Sequence, residues 1–333
     1  MEGNESRLLY IDIAKGLLVL SVLFFHLPTI LSGSSSFTHP INDYISLVPQ
    51  WYLPFFMPAF FVVSGYCTNF DKPFYIFIKS LVRKVLLPLI TLNLLPCVLS
   101  FNYQAFNQFG NISYWLWGLS FWFLPCFLLG KLFFWVINRL SSNLIEAIIG
   151  CVVCLLLSVV FDEFHIFHNY WYWKNAFAFQ CCIIFGRILR KSRYEDKILI
   201  SGSIIYIVSY LIFSLSGFDI PTLGLTVSYT VSDLWKYPIL VLCGSSLIML
   251  VSKIIGHCVI LEYIGKGSLV FYCLHWMIAQ HVGKWLISCF MPESTMAVIL
   301  LYCSTFLLTI VGGILFIYFF SLPIARNFIG NNR

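Results

Sequence analysis

Residues Leu8 to Leu31 read LLYIDIAKGLLVLSVLFFHLPTIL. As a helix, an apolar stretch of about 20 residues or more crosses a hydrocarbon core of roughly 30 Å, yet this one carries Asp12, Lys15 and His26. A charge deep in a span costs roughly 2.5–3.5 kcal/mol on insertion scales, so such residues face a partner or a wet cavity. Asp12 and Lys15 stand three apart and can pair along one helical turn. Lys15 and His26, eleven apart, return to nearly the same azimuth at about 100° per residue, about 16 Å apart along the axis. Gly16 leaves room for a ligand or another helix to approach closely. Two readings follow. Either the stripe presents an amine and an imidazole to a common channel, or Asp12 neutralises Lys15 near the inner interface and His26 is a hydrogen-bonded packing residue.

The rest of the chain repeats the apolar pattern. Of 333 residues, 60% are hydrophobic and 10% charged, with mean hydropathy +0.88, too little charge for the water-facing surface of a soluble domain. The runs are solidly apolar and do not alternate with period two, which excludes a barrel. The expectation is an all-α polytopic membrane protein, one domain over residues 1–333. It is a bundle of about ten helices, with spans near 8–31, 51–70, 81–101, 114–137, 144–163, 170–190, 198–215, 233–255, 260–282 and 297–320. The first span contains charges and lacks a small-x-small cleavage site, so it stays as a span and is not a cleaved signal. Cys151 and Cys154 have CxxC spacing but sit mid-span with no second ligand pair, and read as buried packing residues. The segment from Asp162 to His168 carries metal-capable donors but reads as an exposed outer loop, with Trp171, Tyr172 and Trp173 at the membrane interface.

Loop charge sets the orientation. With both termini cytosolic, the inner side holds Arg7, Lys72, Lys79, Arg83, Lys84, Arg139, Arg187, Arg190, Lys191, Arg193, Lys197, Lys253, Arg326 and Arg333, against Lys174, Lys236 and Lys284 outside. This is a strong positive-inside bias, and it requires an even number of spans. The net charge of +6 is explained by that distribution and does not call for nucleic acid. The expected location is the cell membrane, as a multi-pass protein.

Several segments resemble the integral-membrane acyltransferase-3 family, in particular its O-acetylase branch with fucose 4-O-acetylase-like enzymes. Arg7, the run Ile11-Asp12-Ile13-Ala14-Lys15-Gly16 and His26 match the family's opening. Phe55 to Phe61 with Ser64-Gly65-Tyr66 resembles its second span, Trp122-Phe123-Leu124 its tryptophan motif, and Ile264-Gly265-Lys266-Gly267-Ser268 through His275 its penultimate span. Three departures stand out: Phe56 where the branch commonly has histidine, Lys79, Arg83 and Lys84 ahead of Pro88 in place of an Arg-x-x-Arg pair, and Lys15 where many relatives have arginine.

The resemblance implies transfer of an acetyl or other short acyl group from cytosolic acyl-CoA to a hydroxyl of an extracytoplasmic or lipid-linked glycan. A neutral imidazole can take the proton of a hydroxyl as it attacks, which makes His26 the expected base. Lys15, paired with Asp12, would guide the donor or stabilise charge, with Asp12 structural. Lys79, Arg83 and Lys84 would meet the donor phosphates, or serve as ordinary positive-inside anchors. Trp122 would stack on a sugar or fill the bundle, and His275 would touch substrate or pack. Acetyl-CoA or another acyl-CoA is the expected donor. A thioester is already activated, so no metal is expected, and no Walker or zinc spacing occurs. The competing readings are a transporter or flippase, against which stands the lack of a visible internal repeat, and a non-catalytic partner in polysaccharide assembly, to which Phe56 points.

Overall fold

The structure, a computed structural model, describes residues 2–35, 39–100, 110–118, 120–222, 229–291 and 294–322. Arg326, Arg333, Pro292, residue 101 and residues 223–228 of the approach to the eighth expected span lie outside the described residues, as does the side chain of Arg7. In chain order the helices are α1 (Glu2–Ser35), α2 (Ile41–Leu47), α3 (Phe56–Cys67), α4 (Phe74–Leu81), α5 (Leu87–Ser100), α6 (Ile112–Leu116), α7 (Phe123–Leu140) and α8 (Leu144–Glu163). They continue with α9 (Trp173–Ala178), α10 (Gln180–Lys191), α11 (Glu195–Leu215), α12 (Gly244–Ile255), α13 (Val259–Lys266), α14 (Ser268–Phe290) and α15 (Thr295–Ser321). No strand occurs among the described residues.

Seven stretches among the described residues are long and apolar enough to cross a membrane: Leu9–Gly33, Ile41–Cys67, Phe123–Leu140, Leu144–Glu163, Glu195–Leu215, Val231–Ile255 and Thr295–Ser321. Helix also covers the other three expected spans, as Phe74 to Ser100, Trp173 to Lys191 and Val259 to Phe290, each interrupted. The breaks have local causes. Pro88 has no N–H to give, and just before it Leu87 N–H bonds back to Val82 O, five residues away, as a π-turn over Val82–Leu86. Gly267 separates α13 from α14. The fourth expected span begins later than residue 114 because Gly118, in the left-handed region at φ 87°, ends the short α6 before α7 starts. By contrast α8 begins and ends where expected: the Asn143 side chain accepts from Glu146 N–H at 3.0 Å, an N-cap written in the sequence.

The chain forms two compact units. Of the described residues, one comprises those up to residue 52 and those from 255 to 322, the other those from 53 to 254. In the first, α1 lies along α13 and α14, and α14 packs against α15. The close approach of α1 and α13 depends on two glycines: a Cβ at Gly16 would overlap the Leu261 carbonyl, and one at Gly265 the Asp12 carbonyl. Small residues at a crossing are how membrane helices bring backbones together. In the second unit α3 packs against α10 by the same device, with Gly65 against the Ile183 carbonyl and Gly186 against the Val62 carbonyl. Also in that unit, α11 leaves Ile200, Ile204, Ile207 and Leu211 exposed, an apolar stripe at helical spacing that suits contact with lipid.

Candidate functional site

Helix α1 carries Asp12, Lys15 and His26. Lys15 Nζ donates to Asp12 Oδ1 at 2.9 Å, and both side chains are partly buried. The pairing expected from their spacing is therefore present. It is fixed from behind, because the backbone of Asp12 lies against Gly265. Of the two roles open to Gly16, the structure uses it for helix contact.

His26 lies further along the same helix, half-buried. Its imidazole stacks on that of His275 with ring centroids 5.6 Å apart and planes 28° apart, and meets the Trp276 indole edge-on at 5.2 Å. The structure thus joins two histidines that the sequence reading kept separate. His275 sits on α14 and is 5% exposed. Its Nδ1 is 2.5 Å from the Tyr272 carbonyl oxygen. A carbonyl only accepts, so Nδ1 carries the proton and Nε2 of the neutral ring keeps its lone pair. Nε2 is buried and has no hydrogen-bond partner among the described residues. A buried acceptor left open is costly and calls for an explanation. The ring that carries it stacks on that of His26.

Chemically, the pair offers imidazoles of a kind suited to taking a hydroxyl proton, with the tautomer of one fixed by the backbone. The only signal in the sequence that singled out His275 was its match to a family position. Helical spacing could not pair it with His26, since the two belong to elements far apart in the chain.

The remaining expected residues lie in the second unit. Lys79, on α4, is exposed and holds its ammonium 5.8 Å from the centroid of the Tyr75 ring. Arg83 and Lys84 are exposed within the π-turn, whose wider winding replaces the regular four-residue spacing expected between Lys79 and Arg83. Trp122 stands at the N-terminus of α7, half-buried against Phe123 at 6.0 Å and Tyr172 at 5.7 Å. The Asp162–His168 segment folds back through left-handed residues at His165 and Phe167. Asp162 in turn pairs with Lys174 at 3.4 Å. Cys151 is buried, and both it and Cys154 are free thiols.

No curated protein and no solved structure matches the chain. A family model described as an acyltransferase domain matches residues 8–318, a range that takes in α1, with Asp12, Lys15 and His26, and α14, with His275. This match and the apolar helical architecture identify the protein: the chain belongs to the acyltransferase-3 family and is a multi-pass membrane acyltransferase.

Proposed function

We propose that the protein moves an acetyl or other short acyl group from cytosolic acyl-CoA to a hydroxyl of an extracytoplasmic or lipid-linked glycan, with His26 as general base. The observation that carries this reading is the half-buried imidazole of His26, on the helix that also holds the Asp12–Lys15 pair and stacked on His275. The acceptor hydroxyl oxygen attacks the thioester carbonyl as His26 takes its proton. A C–O bond forms, the C–S bond breaks, and the proton passes to the departing CoA thiolate. Lys15 stabilises charge near the donor, and Asp12 holds Lys15.

The topology proposed with it has ten spans and both termini in the cytosol. The helices over Phe74 to Ser100, Trp173 to Lys191 and Val259 to Phe290 supply the three spans beyond the seven strongly apolar ones. On this topology the donor enters from the cytosolic face and the acceptor from the other, in keeping with the positive-inside bias of the loops.

The test uses purified protein in nanodiscs, labelled acetyl-CoA and a panel of glycan acceptors, comparing wild type with His26→Ala. Loss of a general base costs roughly 10²–10⁴-fold in rate, so transfer is expected to fall by at least about 100-fold while acyl-CoA binding persists. Unchanged transfer removes His26 from the mechanism. No binding of acyl-CoA by the wild type replaces the transferase reading with the transporter one.

A further inference from the structure

Just beyond His26, α1 borders a cavity of about 560 Å³, lined by Thr29 and Ser32 of α1 and by His39, Asn42, Asp43 and Ser46 at and within α2. The size falls within the range of small-molecule sites, roughly 300–1,000 Å³. Thr29 and Ser32 lie three and six residues past His26, about 4.5 and 9 Å along the helix axis. The cavity belongs wholly to the first unit.

The hydrogen bonds inside this wall fix which groups can still donate and which can still accept. His39 Nδ1 accepts from Ile41 N–H at 3.2 Å, so the proton of the neutral ring sits on Nε2, a donor. Asn42 Oδ1 accepts from the Tyr302 hydroxyl of α15 at 2.9 Å, which leaves the amide N–H groups as donors. The Ser46 hydroxyl donates to Asn42 O at 2.7 Å, so its oxygen is left to accept. Asp43 is exposed, and among the described residues its carboxylate forms no ion pair. The Ser32 hydroxyl donates to Thr29 O at 3.3 Å, so its oxygen too is left to accept. The wall thus combines two committed donors with three acceptors, one of which, Asp43, carries a negative charge.

This set suits a polyhydroxylated ring. A sugar hydroxyl donates and accepts at once, so neighbouring hydroxyls bridge an amide or imidazole N–H on one side and a carboxylate on the other. Among the described residues no lysine or arginine lines the cavity, so phosphate and uronate find no counter-charge there and would meet Asp43 with repulsion. We propose that this cavity holds the acceptor as a neutral polyhydroxylated sugar ring, with Asp43 and Asn42 gripping adjacent hydroxyls. The ring would sit so that another hydroxyl points along α1 toward His26. This rests on the glycan-acyltransferase reading and adds to it the residues that recognise the acceptor.

The test uses the full chain in nanodiscs, with methyl glycosides of neutral hexoses as probes and the methyl glycoside of glucuronic acid as the anionic control. Binding is read by saturation-transfer NMR and acceptor KM by labelled acetyl transfer. Asp43→Ala and Ser46→Ala, both at exposed positions, are expected to weaken binding of a neutral hexoside or raise its KM about 10-fold or more, with acetyl-CoA affinity unchanged. Wild-type affinity in both variants, failure of any neutral hexoside to bind, or tighter binding of the glucuronide overturns the proposal. The two readings separate cleanly. Hexoside binding that depends on Asp43 without any acetyl transfer upholds this site and overturns the transferase. Transfer with an unaltered KM in both variants does the reverse.

Discussion

The Tyr272 carbonyl fixes what His275 can do. Because Nδ1–H is committed to that oxygen at 2.5 Å, the valence left open among the described residues is the lone pair on Nε2, in a ring that stacks on His26. Two substitutions separate a helix-anchoring role from a chemical one. His275→Asn keeps an N–H near Nδ1 for Tyr272 but deletes the Nε2 position, whereas His275→Gln keeps a polar atom near Nε2 and gives up the bond to Tyr272. If Nε2 supports proton transfer, kcat in the Asn variant falls with that of the Ala variant, by roughly 10²-fold or more, and its pH–rate profile changes shape. If the ring only anchors α14, the Asn variant retains wild-type kcat and profile. At this scale the sequence made the local pair legible: Asp12 and Lys15, three apart, meet as expected. It did not make His26–His275 legible, because periodicity reports which residues share a face of one helix and says nothing about which face another helix presents. The polar wall of His39, Asn42 and Asp43 was equally hidden, since it depends on Tyr302 reaching Asn42 from α15.

Among the elements, the crossing of α1 and α13 depends on Gly16 and Gly265 having no side chain. Gly265→Ala drives a methyl into the Asp12 carbonyl, a backbone atom that cannot swing aside. It should destabilise by about 1–3 kcal/mol, as overpacked cores do, and loosen the Asp12–Lys15 pair. Gly33→Ala, at a position with open space around it, should leave stability unchanged or slightly raised. Thermal unfolding of the two variants in the same detergent checks the contrast. Equal melting temperatures would mean that the crossing is slack. Helix boundaries were legible where a cap is spelled out, as Asn143 and Glu146 do for α8. They were not legible where proline or glycine reshapes a helix without ending the apolar run, as at Pro88 and Gly267.

For the whole molecule, composition and the length of the apolar runs were enough to fix a helical membrane protein, because the bilayer leaves few other choices for such a chain. The partition into two units was not legible, because the described residues up to 52 and those from 255 to 322 join across most of the chain. Within the second unit, the polar end is tied by Asp71. Its carboxyl is held below the usual aspartate range, first by the amide of Asn138, at 3.1 Å, and then by Arg187, Lys191 and Arg139. A carboxylate with a depressed folded pKa contributes stability that is present above its unfolded pKa and lost as pH falls through the folded one. Stability should therefore drop on acidification below the ordinary carboxylate range, and Asp71→Asn should flatten that part of the profile. Unfolding midpoints measured across the acid range decide this, and an Asp71→Asn profile that overlays the wild type refutes it.

Transfer through the bilayer along α1 has its most direct test in sided vesicles. Purified protein is reconstituted in one orientation, with labelled acetyl-CoA confined to the cytosolic side and a neutral hexoside acceptor confined to the opposite side. Acetylated glycoside should accumulate on the acceptor side with free CoA on the donor side, and His26→Ala should abolish both. Product formed only when donor and acceptor share one compartment, or formed equally well by His26→Ala, would contradict it.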